Sequence, residues 1–184
     1  MSQLAQLALA REQYRAGKAA LFESLGASGA STRGIHARLQ KLAKHTDKTL
    51  QTLWLLADMP PEASLVATGG YGRGELFPFS DVDVLLLLAD DSAVEDNPAL
   101  KAKIEQFISH CWDAGLEIGS SVRTVAECAS EAAKDVTVQT ALVEARWITG
   151  HKTNVERLKT QLAAVWDPKA FFVAKTLELR QRHN

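Results

Sequence analysis

Cysteine is almost missing from this chain: Cys111 and Cys128 are the only two among 184 residues. They fall in different predicted elements, with no CxxC pair and no nearby histidine pair. That excludes a disulfide framework and a structural zinc site, and leaves two small apolar packing residues. An excess of either charge is also missing. Lys and Arg total 21 against 22 Asp and Glu, for a net charge of −1, so no global field favours a general DNA or RNA binder. Long hydrophobic runs are absent too. The longest uncharged apolar stretch, Val84 to Ala89, is too short to span a bilayer. The opening MSQLAQLALAREQYR has no basic segment ahead of its apolar residues, unlike a secretory signal. These absences point to a cytoplasmic protein with no membrane partner. Familiar site motifs are missing as well. There is no GxxxxGK[ST], and the glycines at 69, 70, 72 and 74 do not fit GxGxxG, nor is a helix predicted to follow them for a dinucleotide. His36, His45, His110, His151 and His183 are scattered without an i,i+4 pair or an HExxH, so they read as surface or half-buried residues.

What is present suits an ordinary globular core, with 46% hydrophobic and 23% charged residues. Apolar residues at helical spacing predict an amphipathic helix over 4–25, with Leu4, Leu7, Tyr14, Leu21, Phe22 and Leu25 on one face. GASGASTRG at 26–34 is a break. A second helix follows, with Ile35, Leu39, Leu42, Leu50, Leu53 and Leu56 as its stripe, and it stops before Pro60-Pro61. Strands are predicted at Ser64–Thr68, Val82–Leu88 and Leu116–Arg123. Between the last two, Pro98 opens a helix that Gly115 closes. Thr124 and Glu127 form a capping box for the next helix, Asp135–Thr149 reads as helical with Gly150 as its stop, and Thr153 and Glu156 form a second box. A last helix from Asp167-Pro168 runs to Asn184 without a stop signal. That open end suggests a piece of something longer.

The resulting class is α+β: a helical N-terminal extension (1–58), a small-sheet core (59–150) and C-terminal helices (151–184). Trp54, Trp112, Trp147 and Trp166 sit among apolar residues and read as core or domain packing. Lys169, Lys175, Arg180 and Arg182 give the last helix a basic, solvated face. Asp90, Asp91, Glu95 and Asp96 lack the spacing of a calcium loop and read as solvent-facing charges.

The chemistry is concentrated in SLVATGGYGRGELFPFSDVDVLLLLAD, Ser64 to Asp90. Side chains two apart on a strand point the same way, so Asp81 and Asp83 present paired carboxylates at a strand mouth. Such a pair repels itself unless a cation sits between its members. Hard oxygen ligands of this kind suit Mg²⁺, which typically takes one or two carboxylates plus substrate phosphates. Gly69 and Gly70 end the preceding strand, where a backbone without Cβ atoms can approach a phosphate and offer its N–H groups. Arg73 can reach a phosphate with a forked cation. Ser80 can add a hydroxyl donor or cap the local turn. Each piece alone is weak, since DxD and Gly-Gly are both common in turns. The conjunction is specific: apolar strand, Gly-Gly, ten residues, then Asp-Val-Asp-Val entering a hydrophobic strand.

That strand–GG–loop–DxD pattern resembles the polymerase-β-type nucleotidyltransferase superfamily. Within it, GGYGRGELFPFSDVDVLLL, WDAGLEIGSSVRT, DVTVQTALVEARWITG and FFVAKTLELRQRH are similar to the N-terminal part of bifunctional PII uridylyltransferase/uridylyl-removing enzymes, from about Pro60 to Asn184. The resemblance implies a polymerase-β-like fold and transfer of UMP from UTP to a tyrosine hydroxyl of the PII signalling protein, with release of pyrophosphate, in nitrogen regulation. It implies that Gly69 and Gly70 hold the triphosphate and that Asp81 and Asp83 bind Mg²⁺. It also implies a third carboxylate on a later strand, for which Glu117 between Leu116 and Ile118 is the candidate. Downstream HD and ACT domains, expected in such enzymes, do not fit in this length. The chain departs from the family at Ser120, where a histidine is usual, and Arg123 fits either a triphosphate contact or a surface ion pair. An adenylyltransferase of the same fold, or a nucleotide- and PII-binding module with little turnover, are the alternatives.

Overall fold

The computed structural model describes residues 2–26, 32–89, 94, 97–164, 168–169, 172–173 and 176. Its elements are α1 (Gln3–Gly26), α2 (Thr32–Leu56), β1 (Ser64–Ala67), α3 (Gly69–Gly72), β2 (Val82–Leu88), α4 (Pro98–Ala114), β3 (Ile118–Thr124), α5 (Val125–Lys134), α6 (Val136–Val143), β4 (Arg146–Gly150) and α7 (Lys152–Ala164). The sheet runs β3-β2-β1-β4. β1 is antiparallel to both β2 and β4, while β2 and β3 run parallel, with α4 as the crossover between them.

Helices cover both faces of the sheet, and the alternation of side chains sorts the core into two layers. Leu65, Ala67, Val82, Val84, Leu86 and Leu88 pack with Tyr14, Leu50, Trp54, Phe107 and other residues of α1, α2 and α4. Val66, Leu85 and Leu87 pack with Val125, Cys128, Leu142, Leu158 and other residues of α5, α6 and α7. A central strand covered on both sides must be apolar almost throughout. This explains the leucine run of β2, in which Asp83 is the one exposed position.

Local signals set several boundaries. Asn97 caps α4 by accepting from the Leu100 amide at 3.0 Å, Pro98 occupies its first turn, and Gly115 ends it at φ 86°. Thr124 and Glu127 form the expected capping box of α5, with bonds of 3.2 and 2.7 Å. No described helix is long and apolar enough to cross a membrane.

Four sequence expectations need correction. The helix expected over 135–149 stops at Val143, and RWITG forms the edge strand β4 against β1. The glycine loop folds into a single helical turn, α3. α7 begins at Lys152, which puts Thr153 inside its first turn rather than at its cap. The buried and exposed sets also differ: Trp112 and Trp147 are exposed, Leu4 and Ile35 face solvent, and His110 is buried. The acidic loop at 90–93 and 95–96, most of the 26–34 break, Trp166 and most of the basic tail lie outside the described residues.

Candidate active site

β1, α3 and β2 meet at one end of the sheet. The Thr68 amide donates to the Asp83 carbonyl at 3.0 Å, extending the β1–β2 ladder to the glycines. Thr68 is the N-cap of α3 but supplies no side-chain cap bond, and the Gly69 and Gly70 amides have no partner among the described residues. A one-turn helix end with open N–H groups can receive an anion. Gly69 takes a positive φ of 55°, which favours glycine.

Asp83 is flanked by glycines on both sides. A Cβ at Gly69 would lie 3.3 Å from Asp83 Oδ2, and a Cβ at Gly119 would lie 2.7 Å from Asp83 Oδ1. The parallel register pairs Asp83 with Gly119, so the bare position on β3 is what gives the carboxylate its space. Partial burial, and after it the Asp81 charge, raise the Asp83 pKa above the usual aspartate value. Neither Asp81 nor Asp83 has an ion-pair partner among the described residues.

The other three expected site residues are Glu117, Ser80 and Arg73. Glu117 precedes β3, its carbonyl accepts from the Val82 amide at 2.8 Å, and its side chain is exposed. Its backbone therefore adjoins the strand mouth, yet the described residues hold no group of three His, Cys, Asp or Glu side chains placed to bind a metal. Ser80 closes a turn, its amide and hydroxyl both donating to the Phe77 carbonyl at 3.2 and 3.0 Å. Arg73 Nη1 donates to Glu144 Oε2 at 2.8 Å, and Nη2 lies 3.5 Å from where a Gly70 Cβ would be.

Several site-building residues escaped the sequence reading. Tyr71, buried in the middle of α3, donates to Asp47 of α2. Asp47 also accepts twice from Arg146 of β4, at 2.8 and 3.0 Å, and the Arg146 guanidinium lies 5.3 Å from the Tyr71 ring centroid. Burial, then the Asp47 charge, push the Tyr71 pKa well above the usual tyrosine range, so its hydroxyl stays a donor. Gly72 is pressed against the Glu144 carbonyl, where a Cβ would lie only 2.3 Å from that oxygen. The glycine turn is thus clamped between α2 and the segment entering β4. Beside it, Gln40, Ala43, Lys44, Asp47, Arg73, Gly74 and Arg146 line a cavity of about 220 Å³.

The open helix-turn end and the carboxylate pair on the adjoining strand thus lie at one end of a mixed sheet flanked by helices. The nucleotidyltransferase domain family matches residues 47–147, and the chain belongs to it. Over most of its length it is also similar to curated proteins named bifunctional uridylyltransferase/uridylyl-removing enzyme. Identity is 50% over 94% of the chain for the Cupriavidus pinatubonensis protein, 49% over 94% for that of Burkholderia lata, and 48% over 96% for that of Burkholderia pseudomallei. The chain spans about a fifth of the length of these relatives, 19%, 19% and 20% respectively.

Proposed function

We propose that this domain transfers UMP from UTP to a tyrosine hydroxyl of the PII protein and releases pyrophosphate. The observation that carries the reading is Asp83: an unpaired carboxylate beside Asp81, shelved between Gly69 and Gly119, with the open end of α3 next to it. The uridylyl donor is supported by the names of the relatives, and the PII tyrosine by the motif resemblance at Gly69–Leu87.

The donor set fits Mg²⁺. Two carboxylates at one strand mouth, without an ion-pair partner among the described residues, one of them raised in pKa by burial and by its neighbour, form an anionic site that a hard divalent ion would relieve. Asp81 and Asp83 would hold the ion; Glu117, the candidate third carboxylate, meets the strand mouth through its backbone, and its side chain forms no metal-binding group of three with them among the described residues. When bound, Mg²⁺ supplies charge neutralisation on the reacting phosphates.

The chain's own residues do the rest. The Gly69 and Gly70 amides receive phosphate oxygens, and Arg73 places a cation at the same turn. Tyr71, Asp47 and Arg146 hold that turn between α2 and β4. The acceptor oxygen forms a bond to the α-phosphorus as the α–β phosphoanhydride breaks, the electron pair leaves with pyrophosphate, and the hydroxyl proton passes to solvent. Positioning and preorganised charge account for most of the rate in such a site.

The test is to incubate the chain with α-labelled UTP or ATP, Mg²⁺ and PII. Label should move from UTP to PII and vanish in Asp81→Asn and Asp83→Asn, by a hundredfold or more on the order expected for losing a preorganised charge. Transfer from ATP instead would make it an adenylyltransferase. UTP binding without transfer would make it a binding module. Transfer that survives both substitutions refutes the carboxylate site.

A further inference from the structure

We propose that Glu144 is a positioning residue for the nucleotide, acting through Arg73 rather than by touching the ligand. The inference rests on the nucleotide reading of the Gly69–Gly70 turn. Arg73 stands on the surface, with its side chain 51% exposed, and a free arginine there would sample many rotamers. Glu144 removes that freedom. Its Oε2 accepts from Nη1 at 2.8 Å, while Nη2 of the same guanidinium is directed to the Gly70 side, 3.5 Å from the position a Cβ would take. One edge of the fork is thus held by the protein, and Nη2, on the other, lies beside Gly70 of α3.

Glu144 itself is fixed by its backbone. Its carbonyl packs against Gly72, where a Cβ would come within 2.3 Å, and its amide donates to the Thr140 carbonyl at 3.3 Å at the end of α6. Two residues on, Arg146 is anchored by Asp47. The carboxylate therefore comes from a rigid corner and reaches across 71 positions of sequence to the cation of the glycine turn.

An ordinary surface ion pair would do no more than add a little stability. Two features separate Glu144 from that case: the half-buried carboxylate, 27% exposed, and the placement of the second guanidinium nitrogen at the turn. Two effects oppose each other. The negative charge of Glu144 repels an incoming phosphate, and the preformed fork spares the ordering of a long side chain on binding. The carboxylate is engaged by Nη1, which screens the repulsion, so preorganisation dominates.

Titration calorimetry with Mg·UTP on the whole chain reads the effect, with circular dichroism melts as the check on folding. Glu144→Ala should raise Kd about threefold to tenfold, the range for one freed side chain. Glu144→Gln keeps an acceptor for Nη1 and should stay within about twofold of the unsubstituted chain. In an Arg73→Ala background, Glu144→Ala should have no further effect. Should Glu144→Ala fail to fold, Glu144→Asp, which shortens the reach, serves in its place. The same loss with and without Arg73 overturns the proposal in favour of a packing role. Tighter binding in Glu144→Ala overturns it in favour of competition. Unchanged binding in Arg73→Ala overturns it and leaves the nucleotide reading intact. A folded chain that does not bind UTP at all overturns both.

Discussion

Replacing Gly119 by alanine adds a single methyl group and isolates the geometry of the carboxylate. The Cβ would stand 2.7 Å from Asp83 Oδ1, where ordinary contact begins at 3.4 Å, so the oxygen must retreat by about 0.7 Å. The atom in the way is the tip of a side chain, so Asp83 turns aside and the backbone stays. Gly119 is not among the positive-φ residues, and alanine fits its strand conformation. Removing glycine from a compatible position stabilises by about 0.4–1 kcal/mol through the unfolded chain. A melting temperature about 1–4 °C higher is expected. Misplacing a reacting or ligating group by about 1 Å costs on the order of a hundredfold in rate, so a tenfold to hundredfold loss of transfer follows. The assay is labelled UMP transfer at saturating UTP, beside a thermal melt of the same preparation. A fully active Gly119→Ala would show that this contact does not set the carboxylate. A loss of rate with a melting point several degrees lower would show a packing defect instead.

Two other substitutions separate stability from catalysis. The Asp83 pKa is raised, so its ionised form costs stability in the folded chain; the cost is full above the folded pKa and fades as pH falls towards the usual aspartate value. Without divalent ions, Asp83→Asn should therefore melt slightly higher at pH 7, by less than about 1 kcal/mol given the screening of a half-exposed pair, and the two melts should converge on acidification. Mg²⁺ should stabilise the unsubstituted chain but not Asp83→Asn. At Gly72 the obstacles are backbone oxygens, Glu144 at 2.3 Å and Ala67 at 3.2 Å, so Gly72→Ala should destabilise by about 1–3 kcal/mol in a denaturant melt and weaken UTP binding as α3 shifts.

Much of this was legible locally. The leucine run, the Pro98 and Gly115 boundaries and the Thr124 box follow from residues a few positions apart, and so does the Asp81–Asp83 pair. The parts that were missed depend on distant partners. β4 follows an apolar helical stretch, and its strand conformation comes from pairing with β1 some eighty residues earlier in the chain. GGYG has poor helix propensity; α3 exists because Tyr71 is buried and bonded to Asp47, 24 positions away. Gly119 has no signal of its own, since its importance arises from the parallel register with Asp83. Asp47 and Arg146, 99 positions apart, read as ordinary charges until the fold joins them. Trp112 and Trp147 look like core residues because size and apolarity say nothing about which face of an element is covered.

β2, buried at every position but Asp83, has a consequence for motion. Its backbone amides exchange with solvent only when the sheet around them opens, so the Asp83 end of the candidate site opens slowly. At the other end Arg73 is half-exposed, and its fork swings only when the bond to Glu144 opens, a side-chain motion rather than an opening of the sheet. On the proposed reading, a nucleotide would enter and leave by adjusting the Arg73 half of the site while the Asp83 strand keeps its shape.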